Sequence, residues 1–305
     1  MQPPRHSNLH GILAMVAALG VFILGDSASK FALAEVPMFE AIAIRSYAGM
    51  VLSLILVVLM GYGKDLARAL NPWVVARGFA EVGANFAFTI ALIRMPIADI
   101  TAIIQTAPLL VLLGAWLFYG ERLSAMRLVL IGLGFVGALL VAQPGTTAAS
   151  PYAVLGFLVA FAAAGRDLMT RKVPRSVPAP VAAFAVICCL FVTSFTAMLA
   201  SETPVVPSLR DFSLLFMAGA ALVAGHLGVF LAYKLSEART VAPFMYSLTI
   251  WAVLSGLLLF GDRPNAIAVA GMALIVGAGL MVIHLDGRRR ARLSQPEIKA
   301  GAGGA

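Results

Sequence analysis

Six side chains able to bind a solute lie inside long apolar stretches of this chain: Glu81, Asn85, Gln105, His226, Tyr246 and Trp251. Near the ends of two such stretches sit Asp26 with Lys30 and Asp167 with Arg171, each pair one helical turn apart. An ionisable group at bilayer depth costs about 2.5–3.5 kcal/mol by insertion scales, so it needs a partner, a water-filled space or a task. The carboxylate, amide, imidazole, phenol and indole groups together offer hydrogen bonds and an aromatic face suited to a zwitterionic metabolite. The two acid–base pairs suit the mouths of a passage, where closing one opens the other. Plainer readings stand beside these. A pair at i,i+4 can simply neutralise itself, His226 can be a hydrogen-bonded core imidazole, and Tyr246 and Trp251 can anchor at the lipid interface.

Register favours the first reading. One offset relates Asp26 to Asp167, Lys30 to Arg171, Asn85 to His226, Gln105 to Tyr246, and Gly120-Glu121-Arg122 to Gly261-Asp262-Arg263. The chain is therefore a tandem duplication, and repeats decide architecture before anything else does. Helical spacing agrees. Arg77, Glu81, Asn85 and Thr89 recur every fourth residue and form one polar stripe. Thr101, Gln105 and Pro108 share a side of the next helix, where Pro108 leaves a backbone carbonyl without its helical partner. The matched positions predict a cavity lined by the first, third, fourth, sixth, eighth and ninth spans.

The elements that must position these groups follow from composition. Of 305 residues, 61% are hydrophobic and 12% charged, and mean hydropathy is +0.96. A soluble domain carries about 25% charged residues, so the bilayer is the solvent here. A span needs about 20 apolar residues. Stretches of that kind cover 11–30, 38–61, 72–93, 97–118, 125–143, 151–170, 180–200, 212–235, 240–260 and 265–284. They are helices, because lipid-exposed backbone must satisfy its own hydrogen bonds. The fold class is thus all-α integral membrane, with ten transmembrane helices as two inverted five-helix repeats. Residues 1–145 form the first repeat, 146–285 the second, and 286–305 a disordered basic tail. Inversion follows because five is odd, and it is the plan of many carriers.

Lys and Arg set the orientation. With the N-terminus inside, one side collects Arg5, Lys64, Arg68, Arg122, Arg127, Arg171, Lys172, Arg175, Lys234, Arg239 and the tail, the other only Lys30, Arg94, Arg210 and Arg263. That bias predicts both termini in the cytoplasm of a bacterial inner membrane. It also accounts for the net charge of +8 without a nucleic-acid partner. The partners expected are the bilayer and a small-molecule substrate. Glycines 132, 134 and 137 and glycines 271, 277 and 279 mark close helix packing in the fifth and tenth spans. A monomer is expected, with a homodimer contact there as the alternative.

Enzyme classes are disfavoured by what is missing. The sequence holds no phosphate loop, no nucleophile elbow and no His/Cys ligand cluster, and Cys188 and Cys189 are adjacent in an apolar run. No cofactor and no metal are expected.

The stretch Ala98 to Glu121, closing on Leu117-Phe118-Tyr119-Gly120-Glu121-Arg122, and the stretch Ala238 to Asp262, closing on Leu258-Leu259-Phe260-Gly261-Asp262-Arg263, resemble the signature hairpins of the drug/metabolite transporter superfamily. More narrowly they resemble its EamA-type members, and the likeness runs over about residues 10 to 285. Asp262 stands where Glu is usual, and Thr249 stands at the position of Pro108. The resemblance implies a secondary carrier that exports small metabolites by alternating access, with bacterial aromatic amino acid exporters as the nearest kind. An uptake or exchange carrier for S-adenosylmethionine or a nucleotide derivative is the alternative, and a non-transporting membrane subunit the second.

Overall fold

The computed structural model describes residues 5–121, 123–144 and 150–301, with the backbone alone for 5–8, 238–239 and 286–301. Arg122, most of the link between the repeats and residues 302–305 lie outside the described residues, so the readings placed on them are not taken further.

Helix is the only regular structure among the described residues. The helices are α1 (Arg5–Ala32), α2 (Met38–Leu59), α3 (Pro72–Arg94), α4 (Ile97–Tyr119), α5 (Ala125–Ala142), α6 (Ala153–Thr170), α7 (Ala179–Ser201), α8 (Leu209–Leu235), α9 (Ala242–Phe260, after the short turn Ala238–Val241) and α10 (Ala266–Gly301). Nine of these are long and apolar enough to cross a membrane. The remaining one, α3, spans 23 residues but carries Arg77, Glu81 and Asn85, the polar stripe itself. Packing against α6 and α7 covers much of it.

Local chemistry explains the interruptions. In α4 the helix breaks at Gln105 and Thr106, just before Pro108, whose ring excludes the carbonyl four residues back. Thr106 Oγ1 donates to the Ile103 carbonyl at 2.7 Å, satisfying one acceptor at the break. Pro243 produces the corresponding tight turn at the start of α9. Both α4 and α9 end on glycine, Gly120 at φ 65° and Gly261 at φ 70°, a left-handed conformation that costs glycine nothing. In both hairpins the glycine N–H and the following acid N–H share one carbonyl, that of Ala115 in the first and Gly256 in the second. At the C-terminus, α10 runs on to Gly301, past Asp286, where disorder was expected. Arg, Ala, Leu, Gln, Glu and Lys dominate that stretch, and good helix formers extend a helix already nucleated in the span.

Packing between the halves carries the architecture. Along α1 lies α8, and along α3 lies α6; α2 pairs with α7, α4 with α9 and α5 with α10. Exchanging the two repeats maps this set of pairs onto itself. Every pair runs antiparallel. Gly11 meets Ser236 while Gly25 meets Ala221, Arg77 meets Thr170 while Glu81 meets Arg166, and Val57 packs near Val181 while Ile42 packs near Leu190. In the α5–α10 pair, Gln143 bonds Asn265 and Leu130 packs against Ala278. Backbones approach closely there too: a Cβ on Gly271 would stand 2.5 Å from the Gly137 carbonyl oxygen. Antiparallel pairing of each helix with a member of the other repeat is the geometry of two inverted bundles about a twofold axis across the helices.

Candidate functional site

The two ends of the bundle hold the same constellation, built with different tightness. At one end the ammonium of Lys30, from α1, donates to the Met95 carbonyl at 2.6 Å, in the turn between α3 and α4. It lies 5.0 Å from the centre of the Phe260 ring, which stacks on Phe31 at 4.6 Å. Asp262, of the second hairpin, and Asp99, in the first turn of α4, are within its electrostatic reach. Each of those carboxyls has one buried oxygen with no hydrogen-bond partner among the described residues. Ile23, Leu92, Ile97 and Ala252 seal this end, and all are at most 2% exposed.

At the other end Arg171, the counterpart of Lys30, pairs with Glu121, the counterpart of Asp262. Its guanidinium lies 5.1 Å from the Tyr119 ring, the counterpart of Phe260. Here the groups are wet: the side chains of Arg171 and Glu121 are 43% and 51% exposed. Tyr233, which corresponds to the fully buried Leu92, is 39% exposed. The Lys30 end is thus the more deeply buried at these positions, while the two turns themselves are both buried, Met95 at one end and Ser236 at the other.

These partners differ from the pairs expected one turn apart. Asp26 pairs with Arg45 of α2 at 3.3 Å, not with Lys30, and Arg45 also donates to Ser29 at 3.3 Å. Asp167 pairs with Arg166 at 2.9 Å, not with Arg171. Glu81 pairs with the same Arg166 at 2.6 Å, not with Arg77, and Arg77 donates to Thr170 at 2.9 Å. Glu40 accepts from the Val205 N–H at 3.0 Å. An i,i+4 pair forms only when nothing better faces it. Across a helix interface a guanidinium can reach two acceptors at once, and that is what Arg45 and Arg166 do.

Between the ends, three of the six predicted contact residues belong together. Glu81 and Asn85 are half-buried, one turn apart on α3, and His226 on α8 is exposed. His226 lies within electrostatic reach of Glu81, Arg166 and Arg77. Its Nδ1 donates to the Leu222 carbonyl at 2.8 Å, which leaves Nε2 as the acceptor of the neutral ring. The Phe22 ring stands edge-on to it at 4.9 Å. The other three hold helices together. Gln105 is buried and donates to the Met245 carbonyl at 3.3 Å, joining the break in α4 to the bend in α9. Tyr246 is buried with its hydroxyl against Gly279 of α10. Trp251 donates to the Val16 carbonyl at 2.9 Å and lays its ring on Gly20 of α1. Their aromatic and amide character was legible, but the facing glycines that turn them into packing residues belong to other helices.

Sequence reasoning passed over Asp99 and the partner role of Arg45, and took Glu121 and Asp262 as turn residues only. Asp99 was detectable as an acid three residues past Pro96 inside an apolar run.

The model of the EamA-like transporter family matches residues 9–143 and again 150–284. The chain belongs to the EamA-like transporter family. Its two matches coincide with the two five-helix halves, so it is a multi-pass membrane transporter of small molecules. Similar proteins include the pseudopaline exporter CntI of Pseudomonas aeruginosa, 28% identical over 269 residues, 88% of this chain and 94% of that one. The riboflavin transporter of Brucella anthropi is 29% identical and spans 64% of this chain and 70% of its own. The S-adenosylmethionine uptake transporter of Rickettsia prowazekii is 24% identical over 91% of this chain and 94% of its own. A solved crystal structure, 23% identical, superposes with a TM-score of 0.60 over 93% of this chain and 99% of that one, and supports the fold.

Proposed function

We propose that this EamA-family transporter exports small zwitterionic metabolites, aromatic and other neutral amino acids foremost, from the bacterial cytoplasm by alternating access. The observation that carries the reading is the ion cluster of Arg166, Glu81 and Asp167, with His226 within its electrostatic reach and the Phe22 ring edge-on to His226. Arg166 offers a cation to a carboxylate, Glu81 an anion to an ammonium, and Asn85 and His226 neutral hydrogen bonds between them. The Phe22 ring adds an apolar edge for an aromatic side chain. Substrates bind in pockets of this make-up, mostly apolar with a few convergent polar groups. The Lys and Arg bias predicts a cytoplasmic Arg171 end, so the more exposed ion pair faces the compartment from which export loads.

The relatives supply the rival. Names that include an S-adenosylmethionine uptake transporter and a riboflavin transporter favour larger heterocyclic cargo or inward transport. Purified protein in proteoliposomes, loaded in turn with amino acids, nucleosides, riboflavin and S-adenosylmethionine, separates the readings. Export of amino acids requires counterflow of labelled phenylalanine or tryptophan that Glu81→Gln abolishes. Counterflow of S-adenosylmethionine or riboflavin alone replaces amino acids as the cargo.

A further inference from the structure

Away from the interior cluster, two links of the chain meet on the side of the bundle that carries Arg171. The short helical segment Gly63–Leu70, between α2 and α3, lies against the link between α6 and α7. Leu66 and Ala69 pack with Val173 and Val177, and the Arg68 guanidinium donates to the Ser176 carbonyl. Links far apart in sequence are thereby joined, and the exposed cations Lys64, Arg68, Lys172 and Arg175 come together on one surface. We infer that this surface holds the headgroup of an anionic phospholipid.

Three observations point to that occupant. The first is charge. Asp65 pairs with Arg68 at 2.9 Å, while Lys64, Lys172 and Arg175 have no carboxylate within ion-pair distance among the described residues. The second is an indole among the cations. The Lys172 ammonium lies 4.5 Å from the centre of the Trp73 ring, and Trp73 is 41% exposed in the first turn of α3. An exposed tryptophan beside lysine and arginine belongs at the level of lipid headgroups. The third is an apolar strip that leads up to the cations. Leu54, Val58 and Leu59, at the end of α2 next to the segment, are exposed, although α2 packs on α7 and α8. A strip of this kind ending at a cation cluster has the order of a phospholipid, tail and then head. A free phosphate would use the cations alone. Topology requires only that Lys and Arg lie on one side of the membrane. Their convergence from two links around one indole is what the fold adds.

Quenching of Trp73 by brominated lipid tests this without any transported solute, so it stands apart from the export reading. Trp116→Phe with Trp251→Phe leaves Trp73 as the only indole. The protein is placed in mixed bilayers of phosphatidylcholine and phosphatidylglycerol, with bromine on the acyl chains of one lipid or the other. The ratio of the two quenching curves reports which lipid occupies the site, and it cancels direct effects of a substitution on the fluorescence. Each Lys or Arg near an anionic headgroup strengthens attachment about fivefold. Phosphatidylglycerol should therefore be preferred by about fivefold or more. Lys172→Gln with Arg175→Gln should bring the two lipids to near-equal occupancy, whereas Lys172→Arg with Arg175→Lys should keep the preference. The inference is overturned by equal quenching from both lipids in the parent, by quenching from neither, or by a preference that the Gln pair leaves intact. Loss of the preference in the charge-conserving pair overturns it too. If millimolar inorganic phosphate abolishes the preference, the surface serves a soluble anion and the lipid assignment falls.

Discussion

Neutralising Glu81 should cost far more than neutralising Asp167, although both carboxylates hold the same arginine. Arg166 lies 2.6 Å from Glu81 and 2.9 Å from Asp167. Unit charges about 4 Å apart attract by about 4 kcal/mol at the effective dielectric of a partly buried site, and desolvation of both groups takes back most of this. One-sided removal costs about 3–5 kcal/mol for a fully buried pair and about 0–1 kcal/mol for an exposed one. The Glu81 and Arg166 side chains are 25% and 26% exposed, whereas Asp167 is 47% exposed. Discounting for that solvent contact places Glu81→Gln at about 2 kcal/mol and Asp167→Asn at about 0.5 kcal/mol. Equilibrium unfolding in mixed micelles measures both, and a double-mutant cycle with Arg166→Met isolates each coupling. Counterflow should fall with the first variant and persist with the second, since Glu81 alone faces His226 and Asn85. Equal couplings, or a larger one for Asp167, would refute the assignment of Glu81 to the interior and of Asp167 to the rim.

Three further outcomes are expected. Gly271→Ala should destabilise by about 1–3 kcal/mol through overpacking against the Gly137 carbonyl. By contrast Gly277→Ala, with nothing within 4 Å of its Cβ, should leave thermal unfolding unchanged or raise it by up to about 1 kcal/mol of helix propensity. Trp251→Phe keeps a ring on Gly20 but loses the hydrogen bond to Val16, so differential scanning in detergent should show a loss of about 1 kcal/mol. Glu202 caps α2 by accepting from the Phe39 and Glu40 N–H groups at 2.9 and 3.0 Å. Glu202→Gln retains one acceptor oxygen and loses the charge at the helix N-terminus, for about 1 kcal/mol in the same assay.

Part of the geometry of the candidate site was legible. Glu81 and Asn85 were marked by a four-residue period on one helix, and His226 by its register with Asn85, and His226 lies within electrostatic reach of Glu81. Gln105 and Tyr246 carried the same register signal, and in this structure they join helices, Gln105 through the Met245 carbonyl and Tyr246 against Gly279. Polarity in an apolar run shows that a group needs a partner, not whether that partner is a solute or a neighbouring helix. Tyr246 is decided by Gly279 and Trp251 by Gly20, each on another helix. Lys30 and Arg171 were matched by register, but their partners were not, because spacing along one helix favours the residue four positions away. Lys30 reaches Met95, and Arg45 reaches Asp26, because α3 and α2 lie across from α1.

What the sequence by itself determined is the solvent, the helices and the duplication. Apolar length and backbone self-satisfaction require spanning helices, and an odd number of them per repeat requires inversion. Those are properties read along the chain, residue by residue. Only the tertiary structure decided which charge answers which, and how deeply each of two equivalent positions is buried. Burial of Leu92 against exposure of Tyr233 is a through-space fact, set by helices that meet across the bundle rather than along it.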